Sequence, residues 1–483
     1  MNYRAVSYNL GRILSVEAVL LVFPAIGTFV YKEEGTFLAF AITIAALTAC
    51  SLLALAAKPK NRTLHARDGY VIVALSWILM SLFGALPFVL SGYIPNIFDA
   101  FFETVSGFTT TGSTCLRDVE ALPNSLLFWR SFTHWIGGMG ILVFVIAVMP
   151  KTESSSMHIM RAEVPGPTVG KLVSKLSLSA RILYCIYTVM TLIQIVLLIA
   201  GGMPIFDSIV NSFATAGTGG FAILNKSIEG YGSLYAEMVI GVFMLLFGVN
   251  FNIYYLFLIK QGKQAIKNEE LRWYLGIVGG SVLLIALDLM LNKHSVGESF
   301  RYSFFQVSSI ITTTGFSSTN FDTWPVFSKL IIILLMFCGA CAGSTGGGIK
   351  VSRIMVLAKG SIRDIKKAVN PRIVQSVKVD HHSVEESVVK SIFVYFTMLV
   401  SLIAFSTLLL CIEGRDLVST FTAVLSCVSN IGPGLGAVGP AGNFADFSNL
   451  GKLLLSFDML AGRLELVPMF MLFSPLAWSR KHS

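Results

Sequence analysis

Charged side chains are scarce in this sequence: only 13% of its 483 residues are Asp, Glu, Lys or Arg, whereas 54% are hydrophobic. A soluble chain of this length cannot bury so many apolar residues, which excludes a soluble globular protein. Cysteines are few as well, and only Cys338 and Cys341 are closely spaced. Because a second pair of ligands is lacking, we assign this C-x-x-C to packing inside a helix and not to zinc or redox chemistry.

Long apolar runs indicate an integral membrane protein. A helix needs about 20 residues to cross a bilayer, and runs of roughly that length recur about ten times. The first run is interpreted as a retained helix, because it is long for the apolar core of a signal peptide. The predicted spans are 13–30, 36–57, 69–91, 125–150, 182–201, 234–259, 273–292, 327–340, 391–411 and 448–475.

Basic residues are concentrated in alternate connections between these runs. They occupy the segments from Lys58 to Arg67, Lys151 to Arg181, Lys260 to Arg272 and Lys350 to Lys378. The connections between those segments contain few of them, which is the pattern that the positive-inside rule gives for outward loops. We therefore expect both termini on the cytoplasmic side. The net charge of +9 does not indicate nucleic-acid binding, because the cations do not form one patch.

Four of the outward connections are long, apolar and alike. They align without a gap, and in each a glycine stands eleven places after the first residue, with a polar residue two places before that glycine. The segments are "FFETVSGFTTTGS" (101–113), "IVNSFATAGTGGF" (209–221), "FFQVSSIITTTGF" (304–316) and "FTAVLSCVSNIGP" (421–433). Each lies between two predicted spans whose far ends are on the same side, so the units are parallel and not inverted repeats.

This pattern predicts an all-α polytopic membrane protein with two extra N-terminal transmembrane helices. Four parallel repeats of helix, re-entrant pore loop and helix then surround one central pore, because non-helical backbone at membrane depth must line a cavity or be buried in protein. The predicted divisions are 1–68 for the N-terminal helices and 69–161, 162–262, 263–370 and 371–483 for the repeats.

The four glycine-ended segments are typical of a cation selectivity filter. Rings of backbone carbonyls can replace the hydration shell of potassium, and glycine adopts the positive φ values that inward-facing carbonyls require. Each short helix directs the negative end of its dipole toward the centre, which favours a cation. The predicted coordinating carbonyls are those of Thr110, Thr111, Gly112, Thr218, Gly219, Gly220, Thr313, Thr314, Gly315, Asn430, Ile431 and Gly432.

The motifs "ETVSGFTTTGST", "FATAGTGGF", "ITTTGFSS", "SNIGPGLG" and "GSTGGGIKVSR" resemble, in order, those of the Trk/Ktr/HKT superfamily of potassium transporters, and within it the bacterial TrkH/TrkG branch. The resemblance implies potassium as the transported ion, a multi-pass plasma-membrane protein of the bacterial inner membrane and a homodimer with one pore per subunit. It also implies a cytoplasmic, nucleotide-binding regulatory ring protein of the TrkA type. In related plant members a serine in place of the first filter glycine accompanies sodium transport, whereas Gly112 is present here. The fourth segment departs from the Thr-x-Gly pattern.

The stretch "CAGSTGGGIK" (341–350) is glycine-rich and follows a short apolar run. It is not a Walker A loop, because Ile349 stands where the lysine of that motif must be. Residues 327–340 cover only about half of a bilayer, so the glycines are predicted to break the helix inside the membrane. We interpret Gly346, Gly347 and Gly348 as a flexible gate below the filter, with a simple packing kink as the alternative. The basic stretch from Lys350 to Lys378 is interpreted as a solvated cytoplasmic connection, with a docking surface for a partner as the alternative.

The last span contains three charged residues well inside its apolar run: Asp458, Arg463 and Glu465. Charges at that depth are costly and usually face a cavity or each other. Arg463 is therefore predicted to act with the gate, by repelling cations and by hydrogen bonding to carbonyls freed at the glycine break. An internal salt bridge to Asp458 or Glu465 is the alternative.

Two other functions are compatible with a membrane protein of this size. An intramembrane enzyme would need convergent polar residues, but the ionisable residues are few, and His134 is predicted near the outer end of its span. We therefore expect no enzymatic activity. A proton- or sodium-coupled potassium symporter of the same fold is the second alternative, since Asp288, Asp458 or Glu465 could carry a coupling ion or could be structural.

Overall fold

The chain folds almost entirely into α-helices, as the composition predicts. The computed structural model describes residues 1–59, 65–140, 176–372 and 375–478, and within them the two strands, Lys378–Val379 and His382–Ser383, form one short antiparallel hairpin. The helices long and apolar enough to cross a membrane are Tyr3–Val30, Gly35–Ala56, Arg67–Leu90, Leu178–Ala200, Glu269–Leu291 and Glu386–Glu413. Residues 141–150 of one predicted span, and Lys151 and its basic neighbours up to Lys175, lie outside the described residues.

Two helical segments precede the repeats. The first runs as Tyr3–Leu20 and Val22–Val30, and the second is Glu34–Ala56. The first helix therefore begins ten residues earlier than the apolar run suggested, and Arg12 lies inside it. The two segments approach closely at Gly11, where an added Cβ would lie 2.9 Å from the Cβ of Ala54, so glycine is needed for this packing.

Each of the four repeats contains a first helix, a short pore helix and a second helix, which confirms the predicted architecture. The first helices are Ala66–Leu90, Leu176–Ala200, Glu269–Leu291 and Glu386–Leu410. The pore helices, numbered 1 to 4 below, are Ile97–Phe108, Ile205–Ala216, Val296–Ile311 and Leu417–Ser429. The second helices are Asn124–Gly138, Leu234–Phe247, Val326–Phe337 and Asn449–Arg463.

All four second helices stop early, whereas the sequence predicted a break only in the third repeat. They contain 12 to 15 residues, which is roughly 18–22 Å of helix and too short to cross a bilayer. The predicted continuous spans 234–259 and 448–475 are therefore wrong. In the second repeat the chain turns by 89° into the helix Phe251–Leu258. In the fourth, Glu465 and Leu466 adopt positive φ before the helix Val467–Phe473.

The predicted break in the third repeat is present. After Phe337 the chain is not helical until Val351, and we call residues 338–350 the glycine loop. Cys338 and Cys341 lie in this loop and not inside a helix as predicted, and Cys338 forms an isolated parallel bridge with Ile349. A helix of 19 residues, Val351–Val369, follows the loop. The remaining short elements are the helices Gly262–Lys267 and Pro475–Trp478 and the 3-10 turns Ser227–Tyr231, Phe321–Thr323, Cys411–Glu413 and Gly436–Val438.

Candidate functional site

Three of the pore helices begin with a side chain that caps the first turn. Asn96, Ser295 and Asp416 accept hydrogen bonds from backbone amides of pore helices 1, 3 and 4. The Ser419 amide, 2.9 Å from the carboxylate, holds the pKa of Asp416 below its ordinary value. The caps satisfy the amides at the N-termini, and the C-termini of these helices, with their free carbonyls, are the negative ends of the helix dipoles.

The four pore helices end in the same hydrogen bond. The amides of Thr111, Gly219, Thr314 and Ile431 donate to carbonyls five residues earlier, at 2.9, 2.9, 2.8 and 3.0 Å. The acceptors all belong to small residues, which stand five places after the first residue of each aligned segment: Ser106, Ala214, Ser309 and Ser426. This bond is the 6→1 contact of a Schellman motif, which reverses the chain out of a helix through one left-handed residue. The repeated small residue therefore marks a common helix end.

After each pore helix two residues with positive φ are separated by one residue whose φ is not positive, and the second of the two is the glycine expected from the sequence. The glycines Gly112, Gly220, Gly315 and Gly432 have φ of 80°, 72°, 84° and 106°. The polar residues two places earlier are also left-handed, at 56°, 54° and 58° for Thr110, Thr218 and Thr313 and 55° for Asn430. A β-branched residue in that region is strained, and strain of this kind concentrates at functional sites. The sequence did not indicate that threonine would adopt it.

We call residues 110–112, 218–220, 313–315 and 430–432 filter lines 1 to 4; they form a closed ring. A Cβ added at Gly112 would collide with the carbonyl oxygen of Gly219, one at Gly220 with that of Thr314, and one at Gly315 with that of Ile431. A Cβ at Gly432 would lie 2.8 Å from the carbonyl oxygen of Thr111, which returns to line 1. Each line thus touches the next in sequence order, and all twelve predicted filter residues lie in this ring.

Most carbonyls of the ring have no hydrogen-bond donor. Within the part of the chain that the structure describes, none of the twelve accepts a hydrogen bond except that of Gly432. The Gly432 carbonyl accepts from Ser113 at 3.1 Å and from Ser426 at 2.7 Å. Gly432 is also buried, whereas the other three glycines are partly exposed. Line 4, which departs from the Thr-x-Gly pattern, therefore differs in its hydrogen bonding as well.

His134 links pore helix 1 to the residue that follows line 2, a role that the sequence did not indicate. Its Nδ1 lies 2.7 Å from the carbonyl oxygen of Gly107, and its Nε2 accepts from the amide of Phe221 at 3.2 Å. These two bonds require the neutral ring with the proton on Nδ1. The side chain is fully buried, and a Cβ at Gly219 would clash with its ring, whereas a Cβ at Gly217 would clash with the backbone carbonyl of His134. That His134 lies near the outer end of its span stays a prediction.

A buried ion pair supports the chain where it leaves the first two lines. The guanidinium of Arg130 binds the carboxylate of Glu103 at 2.7 Å, and both side chains are at most 2% exposed. Glu103 also accepts from the Thr114 hydroxyl, at 2.9 Å, and from the Cys115 amide, at 3.0 Å, just after line 1. Arg130 donates to the carbonyl of Ala222, just after line 2. The pair therefore links two neighbouring lines outside the ring.

Replacing Glu103 with glutamine should destabilise the protein strongly, because it leaves the Arg130 charge buried and uncompensated. Breaking a buried pair in this way costs about 3–5 kcal/mol of unfolding free energy. The matched control is Asp446→Asn, because Asp446 pairs with Arg117 on the surface, where the side chains are 65% and 76% exposed. Such a pair contributes about 0–1 kcal/mol. Thermal unfolding of the detergent-purified protein measures both, and equal shifts would contradict a supporting role for the buried pair.

The glycine loop lies directly against the filter and against the break in the second repeat. The amide of Gly347 donates to the Thr313 hydroxyl of line 3 at 2.6 Å. The amide of Cys341 donates to the Gly248 carbonyl at 3.0 Å, and the Phe251 amide donates to the Gly343 carbonyl at 3.1 Å. The loop thus satisfies carbonyls and amides that the helix break at 248–250 leaves without helical partners.

Two cationic side chains bind neighbouring carbonyls of this loop. Arg463 donates to the carbonyl of Thr345 at 2.9 Å and to those of Gly137 and Gly138 at 2.7 and 3.0 Å. Lys350 donates to the carbonyl of Gly346 and is only 2% exposed. The prediction that the solvated basic stretch begins at Lys350 is therefore wrong.

The other two charged residues of the last span have partners elsewhere. Glu465 forms an ion pair with Arg353 at 2.6 Å, and Asp458 accepts a hydrogen bond from Ser406 at 2.8 Å. The carbonyls that Arg463 binds belong to the glycine loop and to the end of the helix Asn124–Gly138, so this side chain connects the breaks of three repeats. Hydrogen bonding of Arg463 to carbonyls at the glycine break was predicted from the sequence.

Apolar helices around a closed ring of re-entrant backbone define a membrane transport protein with a pseudo-fourfold pathway. The chain belongs to the TrkH family, described as cation transport proteins, whose family model matches residues 36–481.

Individual relatives match over the whole chain. The potassium uptake protein TrkH of the Trk system of Salmonella typhimurium is 34% identical and covers 99% of this chain and 100% of its own length. The Trk system potassium uptake protein TrkG of Escherichia coli is 32% identical and covers 98% of both chains. The crystal structure of the potassium transporter TrkH from Vibrio parahaemolyticus superposes with a TM-score of 0.89 at 32% identity, over 99% of this chain and 100% of that chain.

Proposed function

We propose that this protein takes up potassium across the bacterial inner membrane through a selectivity filter formed by the four lines. The observation that carries the proposal is the closed ring of backbone carbonyls, nearly all without a hydrogen-bond donor among the described residues. A dehydrated potassium ion requires such oxygens in place of water. The relatives are named as potassium uptake proteins of the Trk system, and a transport role involves no enzymatic chemistry.

Potassium is the better candidate than sodium on two grounds. All four filter glycines are present, including Gly112, where the resemblance associates a serine with sodium transport. In addition, side chains at these positions would occupy the space between neighbouring lines and reshape the ring. An unaltered ring is therefore the one expected to suit the larger, more easily dehydrated ion.

The glycine loop is proposed to be the gate. Hydrogen bonds at three consecutive residues hold the loop in the observed position. Arg463 binds Thr345, Lys350 binds Gly346, and the Thr313 hydroxyl binds Gly347. The fixed positive charge of Arg463 below the filter also disfavours a cation there, since Coulomb repulsion is strong at low dielectric. Gly346, Gly347 and Gly348 give the loop the conformational freedom to withdraw when those bonds are released.

The assembly and orientation are part of the same proposal. The distribution of Lys and Arg supports cytoplasmic termini. The family resemblance supports a homodimer with one pore per subunit and a cytoplasmic nucleotide-binding ring partner of the TrkA type. The division of the chain at residues 68, 161, 262 and 370 stays a prediction.

The reversal potential of the purified protein in liposomes, under opposed potassium and sodium gradients, tests the proposal. A reversal that follows the potassium gradient, with flux far above carrier rates, is the expected result for a selective pore. A flux that demands a proton or sodium gradient would contradict the pore mechanism and move the assignment to coupled symport. Liposomes without protein and liposomes with the Gly112→Ser variant provide the background.

A further inference from the structure

A basic cavity lies beside the helix that continues from the glycine loop. This helix, Val351–Val369, begins directly after Lys350. The cavity has a volume of about 460 Å³ and is lined by Lys359, Arg363, Lys366 and Lys378, with Ile362 and Val377 as apolar neighbours. None of these residues has a role in the filter or in the loop contacts described above.

The cavity lies at the level where two membrane spans begin. Lys359 forms an ion pair with Glu269, the first residue of the span Glu269–Leu291. Arg363 pairs at 2.6 Å with Glu386, the first residue of the span Glu386–Glu413. The ends of membrane-spanning helices meet the lipid headgroups, so the cavity faces the headgroup layer.

A tryptophan and an arginine support this placement independently. A second cavity, of about 470 Å³, is lined by Glu269, Arg272 and Trp273. The last two residues lie within about one helical turn of the start of the span Glu269–Leu291. Tryptophan is enriched at the membrane–water boundary, where its ring reaches both apolar and polar surroundings. The shared Glu269–Lys359 pair places the two cavities side by side.

The lining residues leave positive charge unneutralised. Lys359 and Arg363 are paired with carboxylates, whereas neither Lys366 nor Lys378 has a carboxylate within 4 Å among the described residues. On the same helix Ile362, Ile365 and Val369 are 53%, 66% and 83% exposed, and their spacing of three and four residues puts them on one face. A fitting ligand therefore carries both an anionic group and an apolar tail.

We propose that this cavity binds the phosphate headgroup of an acidic glycerophospholipid, with Lys366 and Lys378 at the phosphate and the acyl chains along Ile362, Ile365 and Val369. Basic pockets between helices at the cytoplasmic leaflet recognise such headgroups. The lipid would restrain the helix whose first residues follow the loop, and Arg353 of that helix pairs with Glu465, two residues from Arg463. This consequence for the loop rests on the proposed gate, whereas the binding site does not.

Lipid binding is measured without reference to transport. The purified full-length protein is titrated with dioleoylphosphatidylglycerol or dioleoylphosphatidylcholine, and bound lipids are counted by native mass spectrometry. We expect the variant Lys366→Gln/Lys378→Gln to bind phosphatidylglycerol at least about fivefold more weakly, with phosphatidylcholine unchanged, since each surface lysine contributes measurably to attraction of an anionic lipid. The matched control is Lys260→Gln/Lys263→Gln, which removes the same charge from another basic connection.

The possible results separate the candidate occupants. Equal phosphatidylglycerol binding by both variants and the unmodified protein would overturn the proposal. A variant that keeps its lipids but changes its oligomeric mass would overturn it too, and would assign the cavity to contact between copies.

Potassium flux is then compared in vesicles of phosphatidylcholine with and without about 30% phosphatidylglycerol. Absence of flux in every vesicle would count against the proposed transport and not against the lipid site.

Discussion

Replacing Gly112 with serine is expected to lower the selectivity for potassium over sodium by on the order of tenfold or more. Two effects add at this position. A side chain strains the left-handed backbone, where φ is 80°, and its Cβ meets the carbonyl oxygen of Gly219 in the neighbouring line. A tenfold change requires only about 1.4 kcal/mol, which is less than these effects together are expected to cost. Reversal potentials in liposomes measure the ratio directly.

A matched substitution separates the two effects. Gly202 has a similar φ of 87°, but an added Cβ there meets no atom within 4 Å. Gly202→Ser therefore introduces the backbone strain without the intrusion into the ring. We expect it to retain the selectivity of the unmodified protein. Equal loss of selectivity in the two variants would contradict the assignment of Gly112 to a closed carbonyl ring.

The sequence was sufficient to predict the repeats because their signal is strictly local. The left-handed residue of each Schellman end and the glycine two places after it stand at fixed offsets from the pore helix, and these offsets are visible in the alignment of the four segments. The sequence does not determine the order of the lines around the ring. That order depends on the contacts of Gly112 with Gly219 and of Gly220 with Thr314, which only the structure gives.

The features missed in the sequence depend on contacts between distant segments. The helix Leu234–Phe247 ends in a run of apolar residues, and nothing in "LLFGVNFNIYY" requires a turn of 89°. The turn is supported by the glycine loop, which lies about 90 residues further along and hydrogen-bonds to Gly248. A lysine at the start of a basic stretch is expected to be solvated, because lysine is almost never fully buried without a partner. Its carbonyl partner at Gly346 becomes available only through the folded loop.

Replacing Arg463 with alanine is expected to raise potassium flux on the order of tenfold when the purified protein is measured without any partner. The guanidinium of Arg463 binds the Thr345 carbonyl of the glycine loop, and a hydrogen bond to a charged group contributes about 1.5–3 kcal/mol. Loss of this bond shifts the equilibrium between the closed and the withdrawn loop by about tenfold toward the withdrawn state. The substitution also removes the fixed positive charge below the filter. The potassium flux into liposomes is measured with a potassium-selective fluorescent dye.

Two further variants distinguish a gate from a general loosening of the fold. Arg301→Ala removes an arginine that binds Glu237 and not the loop, so we expect its flux to match that of the unmodified protein. Deletion of one glycine from Gly346–Gly348 shortens the loop whose Gly347 amide donates to Thr313, so it strains that bond and should raise flux as Arg463→Ala does. Because the loop is held by separate bonds to Arg463, Lys350 and Thr313, loss of either tested bond destabilises the same closed state. Unchanged flux in both Arg463→Ala and the deletion would reject the gate.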